Sequence, residues 1–245
     1  MLETPSKTQT ESLVEALRLD IVKGSLKPGD RLGMAALQTR YDVGLSPLRE
    51  ALSRLTSLGL VTSEGQRGFR VARVSPADLL DLMKTMVWVE ATALNSAILQ
   101  GDRDWEAELL AAAHRLGITG NDKTDARFFE DDWEDRHGKF HLALVAACRA
   151  PRLLEYRALL WDNVKRYRLL SAFYERGTRD IDGEHRGLVE AVLSRDAPKA
   201  VQLMQRHLVT TCRVLLTSDP DTADQTDDFI STLEGEIARG RGISL

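Results

Sequence analysis

Apolar positions recur every three to four residues along most of this chain. From Glu11 to Lys23, Leu13, Leu17 and Ile21 are spaced by four, with Val14 and Val22 beside them. That spacing predicts an amphipathic helix, and Gly24 is placed to end it. Pro28-Gly29 marks a turn, and Met34 to Tyr41 predicts a second, short helix. Ser46 and Pro47 read as N-cap and first residue of a third helix, with Ala51, Leu52, Leu55 and Leu58 as its apolar face and Gly59 as its stop. Residues 60–74 alternate instead and turn at Glu64-Gly65-Gln66, which predicts a two-stranded wing.

Ser75, Pro76 and Asp78 repeat a helix-start signal: a cap, a proline at the first helical position and an acid in the first turn. Beyond it the period is helical throughout, over 76–100, 103–116, 128–148, 151–175, 182–195 and 197–217. The expected organisation is a disordered segment at 1–10, a small head at 11–74, a helical body at 75–217 and an acidic, weakly ordered tail at 218–245. The tail holds one weak helix, Phe229–Ala238. The fold class is mainly α: an N-terminal winged helix-turn-helix followed by an all-helical, effector-binding bundle.

Length and composition agree with that division. The chain of 245 residues accommodates two domains, and 43% hydrophobic with 29% charged residues fits a soluble globular protein. No apolar run approaches the ~20 residues that span a bilayer. The N-terminus lacks a basic region leading into an apolar stretch, so the expected location is cytoplasmic, with no membrane partner. Cys148 and Cys212 are expected to be buried thiols rather than a disulfide. The net charge of −4 hides a basic head on an acidic remainder. Phosphate attraction acts locally through a screened field, so the acidic total does not exclude a DNA-binding head.

A recognition helix presents its N-terminal residues to base edges in the major groove. Ser46, Leu48 and Arg49 are placed to do so, short side chains allowing close approach and arginine supplying a fork for guanine or phosphate. The wing offers Gln66, Arg67 and Arg70 around Gly65 and Gly68, and Arg40 could reach phosphate. Lone arginines are usually a solvated face, but three helices and a basic wing in this order are more specific. The segments LRLDIVKGSLKPGDRL, VGLSPLREALSRLTSLGL and GQRGFRV resemble the GntR family of bacterial regulators over residues 11–74. The resemblance implies DNA-binding roles for Ser46, Pro47, Arg49 and Gly68. Family members commonly carry an arginine two residues before the proline, where this chain has Leu45, with Gly44 before it.

Four histidines admit two readings. His137 and His141 share one helix face, and His185 and His207 lie on two later helices. They are either scattered core or surface residues or a metal site built from three helices; His114 belongs with the former. Imidazoles suit a divalent transition metal, zinc or nickel among them, rather than calcium or magnesium. HGKFHLALVAACRAPRL and EHRGLVEAVLSRDAPKAVQLMQRHL are similar to the effector domain (FCD) of the FadR-type GntR branch. That resemblance implies a metal role for His141, His185 and His207. It places His137 where the branch has an aspartate, and Met86 where it often has an arginine before Glu90. Within the branch, RHGKFH and VKRYRLLSAFY look most like the carbon-starvation-induced (CsiR-like) regulators, which respond to small carboxylic acids.

The expected effector is therefore a small carboxylate or dicarboxylate, with Arg166, Tyr167, Arg168 and Glu134 as candidate contacts. Arg166 and Arg168 point apart on their helix, so one would clamp the acid and the other lie elsewhere. Trp133, Phe140 and Trp161 read as core. The resemblance implies a homodimer on near-palindromic, double-stranded operator DNA, acting as a repressor relieved by effector. The rivals are a metal-dependent helical hydrolase with an accessory DNA-binding head, using Glu184 as base, and an architectural DNA binder whose body only dimerises.

Overall fold

The computed structural model describes residues 8–117, 133–170, 179–217 and 226–240. The chain divides into two compact units. The first, the head, holds the described residues through Asp78 together with the end of a later helix from Asp162.

In the head, α1 spans Gln9–Val22. Thr8 accepts from the Glu11 N–H at 3.2 Å, and the Glu11 carboxylate accepts from the Thr8 N–H at 2.8 Å. This reciprocal cap starts the helix two residues inside the segment expected to be disordered. The T-x-x-E signature that announces it was overlooked in the sequence. Helix α2 is Met34–Tyr41 and α3 is Leu45–Ser57. The cap of α3 is Gly44 in an extended conformation, not Ser46. Pro47 is then the third helical residue, which costs little, because the first N–H groups of a helix have no intrahelical partner.

Strands β1 (Arg31–Leu32), β2 (Val61–Ser63) and β3 (Phe69–Val71) form an antiparallel sheet in the order β1-β3-β2. Val61 faces Val71, and Arg31 faces Arg70. The expected hairpin is thus a three-stranded sheet, since a two-residue strand is too short to show alternation. Gly68, at the wing tip, has φ +93°, a conformation that favours glycine. Leu17, Ile21, Leu48, Leu52, Leu55 and Val71 are fully buried in the core these elements enclose.

The body contains α4 (Pro76–Gln100), α5 (Arg103–Leu116), α6 (Trp133–Val145), α7 (Pro151–Leu170), α8 (Ile181–Leu193), α9 (Ala197–Thr217) and α10 (Thr226–Gly240). The bounds of α4, α5 and α9 are those the periodicity predicts. Asp102 caps α5 by accepting from the Trp105 N–H at 2.9 Å, and the Trp105 indole donates to the Ala143 carbonyl at 2.8 Å, tying α5 to α6. Helix α10 is longer than the weak helix expected. Its Ile230, Leu233 and Ile237 are buried, and it packs on α9. Both cysteines are buried and free. Among the described residues no helix is long and apolar enough to cross a membrane.

Helix α7 is assigned to both units. Its last turns belong with the head, where Asp162 pairs with Arg18 at 2.7 Å and Asn163 donates to the Leu58 carbonyl at 3.4 Å. Part of the segment expected to belong to the body therefore folds with the head.

Candidate metal centre and DNA-reading face

In the body, α6 presents His137 and His141 one turn apart, α8 presents His185 and α9 presents His207. All four are buried, and one ring nitrogen from each lies within 4.8 Å of the others. Nε2 of His137 and Nε2 of His141 face each other at 3.1 Å. The rings of His185 and His207 are 4.9 Å apart, and those of His141 and His207 5.1 Å. The four rings therefore converge rather than scatter.

The surroundings hold the rings in place. Trp133 stacks on His137 at 4.5 Å and 12°. Trp161 lies 4.9 Å from the His141 ring, and Gly138 gives it room, because a Cβ there would sit 3.2 Å from the Trp161 indole nitrogen. The His207 Nδ1–H donates to Glu184 at 2.7 Å, which leaves Nε2 as the electron-pair donor. Arg179 donates to both oxygens of Glu184, at 2.8 and 2.7 Å, and to the His207 carbonyl at 2.9 Å. Glu90 of α4 pairs with Arg157 of α7 at 2.8 Å, both buried, and Arg157 also donates to the His141 carbonyl.

Burial pushes the pKa of His141 and His185 well below the ordinary 6.5, and the neighbouring imidazoles push in the same direction. Both rings are therefore neutral and able to donate electron pairs. Among the described residues, Nδ1 of His141 and both nitrogens of His185 have no hydrogen-bond partner. Buried polar atoms are seldom left so, and neutral rings with unsatisfied nitrogens are the donor set a divalent transition metal takes. The residues present fit such an ion.

Burial raises the Glu184 carboxyl, but hydrogen bonds from Arg179 and His207 outweigh it and hold the pKa at about 2. A carboxylate that weak and already engaged is a poor general base. The Glu90 carboxyl is raised by burial against the pull of Arg157.

The other candidates divide. Glu134 lies half-buried in the first turn of α6. Arg168 is buried at the end of α7. Arg166 donates to the Ala72 carbonyl. The Tyr167 hydroxyl donates to Asp78 at 2.6 Å and accepts from the Ser75 N–H at 3.1 Å. These side chains hold the segment at 72–78 within the head. Sequence reasoning missed Arg157, whose carboxylate partner Glu90 lies on another helix, and Arg179, which precedes α8 and reaches back onto Glu184 five residues on.

In the head, Leu48 is fully buried in the core and cannot meet a base. Leu48 lies three, four and seven residues before Ala51, Leu52 and Leu55, so the helical period puts it on their inward face. Ser46, Arg49 and Arg67 are exposed, and Pro47 is half-buried behind them. Arg40 pairs with Asp20 at 2.6 Å, and Arg70 with Glu64 at 2.8 Å. The side chain of Gln66 lies outside the described residues.

Residues 9–71 match the family of bacterial regulatory proteins called the gntR family, and residues 81–210 match the FCD domain. A protein of Paraburkholderia xenovorans (strain LB400), called the uncharacterized HTH-type transcriptional regulator BphR, is 36% identical over 210 residues, 83% of this chain and 85% of its own. The HTH-type transcriptional repressor GlaR of Escherichia coli (strain K12) is 38% identical over 204 residues, 81% of this chain and 92% of its own. Among solved structures, E. coli McbR/YncC superposes with a TM-score of 0.69 at 22% identity, over 85% of this chain and 97% of that one. A putative GntR regulator from Rhodococcus sp. RHA1 does so with 0.69 at 22%, over 87% and 100%.

Proposed function

The chain belongs to the GntR family, carries an FCD domain and is a transcriptional regulator rather than an enzyme, and from that premise we propose how it works. A homodimer binds a near-palindromic operator through Ser46, Arg49 and Arg67 of each head. It represses until a small carboxylate or dicarboxylate occupies a metal site formed by His137, His141, His185 and His207. That the E. coli relative is called a repressor supports the sign.

The observation that carries this reading is the convergence of four buried imidazole nitrogens within 4.8 Å. The nearby charges supply the effector's chemistry. Glu90 is matched by Arg157, and Glu184 by Arg179. Among the described residues, four neutral rings would therefore leave the two positive charges of a zinc or nickel ion without a buried counter-charge, and an anionic oxygen donor supplies one. A divalent ion bound there would offer a Lewis-acidic position to a carboxylate oxygen. His207 is oriented by Glu184, and Glu184 by Arg179. In this reading Arg166 and Tyr167 hold the segment at 72–78, and the acid is met in the body.

Metal analysis of the purified full-length protein tests the site. Fluorescence anisotropy on DNA from upstream of its own gene, against scrambled DNA at fixed salt, tests control by a panel of C4–C6 dicarboxylates. Specific binding released by one acid is expected. His185→Ala is expected to lose metal and acid response together and to keep the operator. Full metal retention in that variant would sink the site as drawn.

A further inference from the structure

The first turn of α3 carries one large apolar side chain on its outside. Leu45 is the first residue of the helix and is 46% exposed. The core has no need of it: Leu48, Ala51, Leu52 and Leu55 already fill the inward face and are fully buried. Arg49, one turn on and on the same side of the helix as Leu45, is exposed and without a hydrogen bond or ion pair among the described residues. Ser46 beside it is exposed as well, while Glu50 and Arg54 engage each other at 2.6 Å.

Single exposed leucines are ordinary on protein surfaces. This one stands on the turn that enters the major groove in a helix-turn-helix. In that groove guanine, adenine and cytosine edges present donors and acceptors, and only thymine presents a methyl group. A leucine side chain has no donor or acceptor. Laid on a polar base edge it would strip water from that edge and replace nothing. Laid on the thymine methyl it buries apolar surface on both partners.

We propose that Leu45 is a specificity-determining residue of the DNA interface, reading a thymine through its 5-methyl group in the half-site that Arg49 contacts. The proposal rests on the DNA-binding reading of α3. It gives the operator one position per half-site that is recognised by shape and apolar contact alone. Such a position distinguishes thymine from uracil, which differ only by the methyl group.

The experiment uses the full-length protein. Its preferred duplex is first selected from a random pool. Each thymine of that duplex is then replaced in turn by deoxyuridine, and affinity is read by anisotropy at fixed salt. One thymine per half-site is expected to lose roughly three- to five-fold in affinity on removal of its methyl. Leu45→Ala is expected to be indifferent to the same replacement. Leu45→Arg is expected to shift the preference there from thymine towards guanine, because its fork matches O6 and N7. If no thymine responds, or Leu45→Ala responds as the parent does, the inference is overturned while DNA binding by α3 stands. If the pool yields no enriched sequence, the DNA-binding reading falls and takes the inference with it.

Discussion

Glu184 and His207 come from different helices, yet the Oε2 of one lies 2.7 Å from the Nδ1 of the other. The contact sets the tautomer of His207 and turns its second nitrogen toward the other three histidines. Arg179 keeps Glu184 ionised at neutral pH, so the contact is a charge-assisted hydrogen bond.

Glu184→Gln removes the charge and keeps the shape. Metal affinity, measured by competition with a chromogenic chelator, is expected to fall about 10- to 100-fold. Operator binding by the metal-free protein is expected to be unchanged. An unaltered chelator curve would mean that Glu184 does not orient His207.

The metal-free protein should carry a pH signature. His141 and His185 are held neutral by burial, well below 6.5, whereas in the unfolded chain each takes up a proton near pH 6.5. Below that pH the unfolded state binds more protons, so stability is complete above it and falls as pH drops. The slope is about 1.4 kcal/mol per pH unit for each histidine that titrates only when unfolded. Urea midpoints of chelator-treated protein between pH 7.5 and 5.5 check this. A flat profile would contradict neutral, buried rings. Added metal is expected to raise the midpoint at pH 7.5 in proportion to the logarithm of its free concentration.

Arg49 is exposed and unengaged among the described residues, whereas Arg40 and Arg70 already hold carboxylates. Arg49→Ala is expected to weaken operator binding by about 1–3 kcal/mol and leave the thermal midpoint alone. Arg40→Ala and Arg70→Ala are expected to act on the stability of the head as well as on binding. An Arg49→Ala protein that binds as tightly as the parent would remove α3 from the groove.

Tyr167 belongs with the head through Ser75 and Asp78. Tyr167→Phe is expected to cost about 1 kcal/mol of stability through the lost hydroxyl contacts, with acid affinity of the body unchanged by calorimetry. A tenfold weaker acid affinity would instead make Tyr167 an effector contact.

Much of this protein was legible in its order of residues. A period of 3.6 is a local property, so α4, α5 and α9 could be bounded from spacing alone, and the placement of four histidines on three helix faces was visible before any packing was known. The three-helix head with its wing was readable for the same reason. Where local signals competed, the reading slipped. Ser46-Pro47 looked like a cap, but Gly44 takes the extended conformation that begins α3, which brings Leu45 into the first turn on its exposed side, while Leu48 shares the buried face of Ala51, Leu52 and Leu55 by the helical period. Tertiary structure alone decided which residues meet across the chain: the four rings within 4.8 Å, Glu184 on His207, Arg157 on Glu90, β1 beside β3, and the end of α7 with the head. Those contacts join positions tens of residues apart. Their geometry follows from how helices and strands pack to bury apolar surface, and no local pattern of residues carries that information.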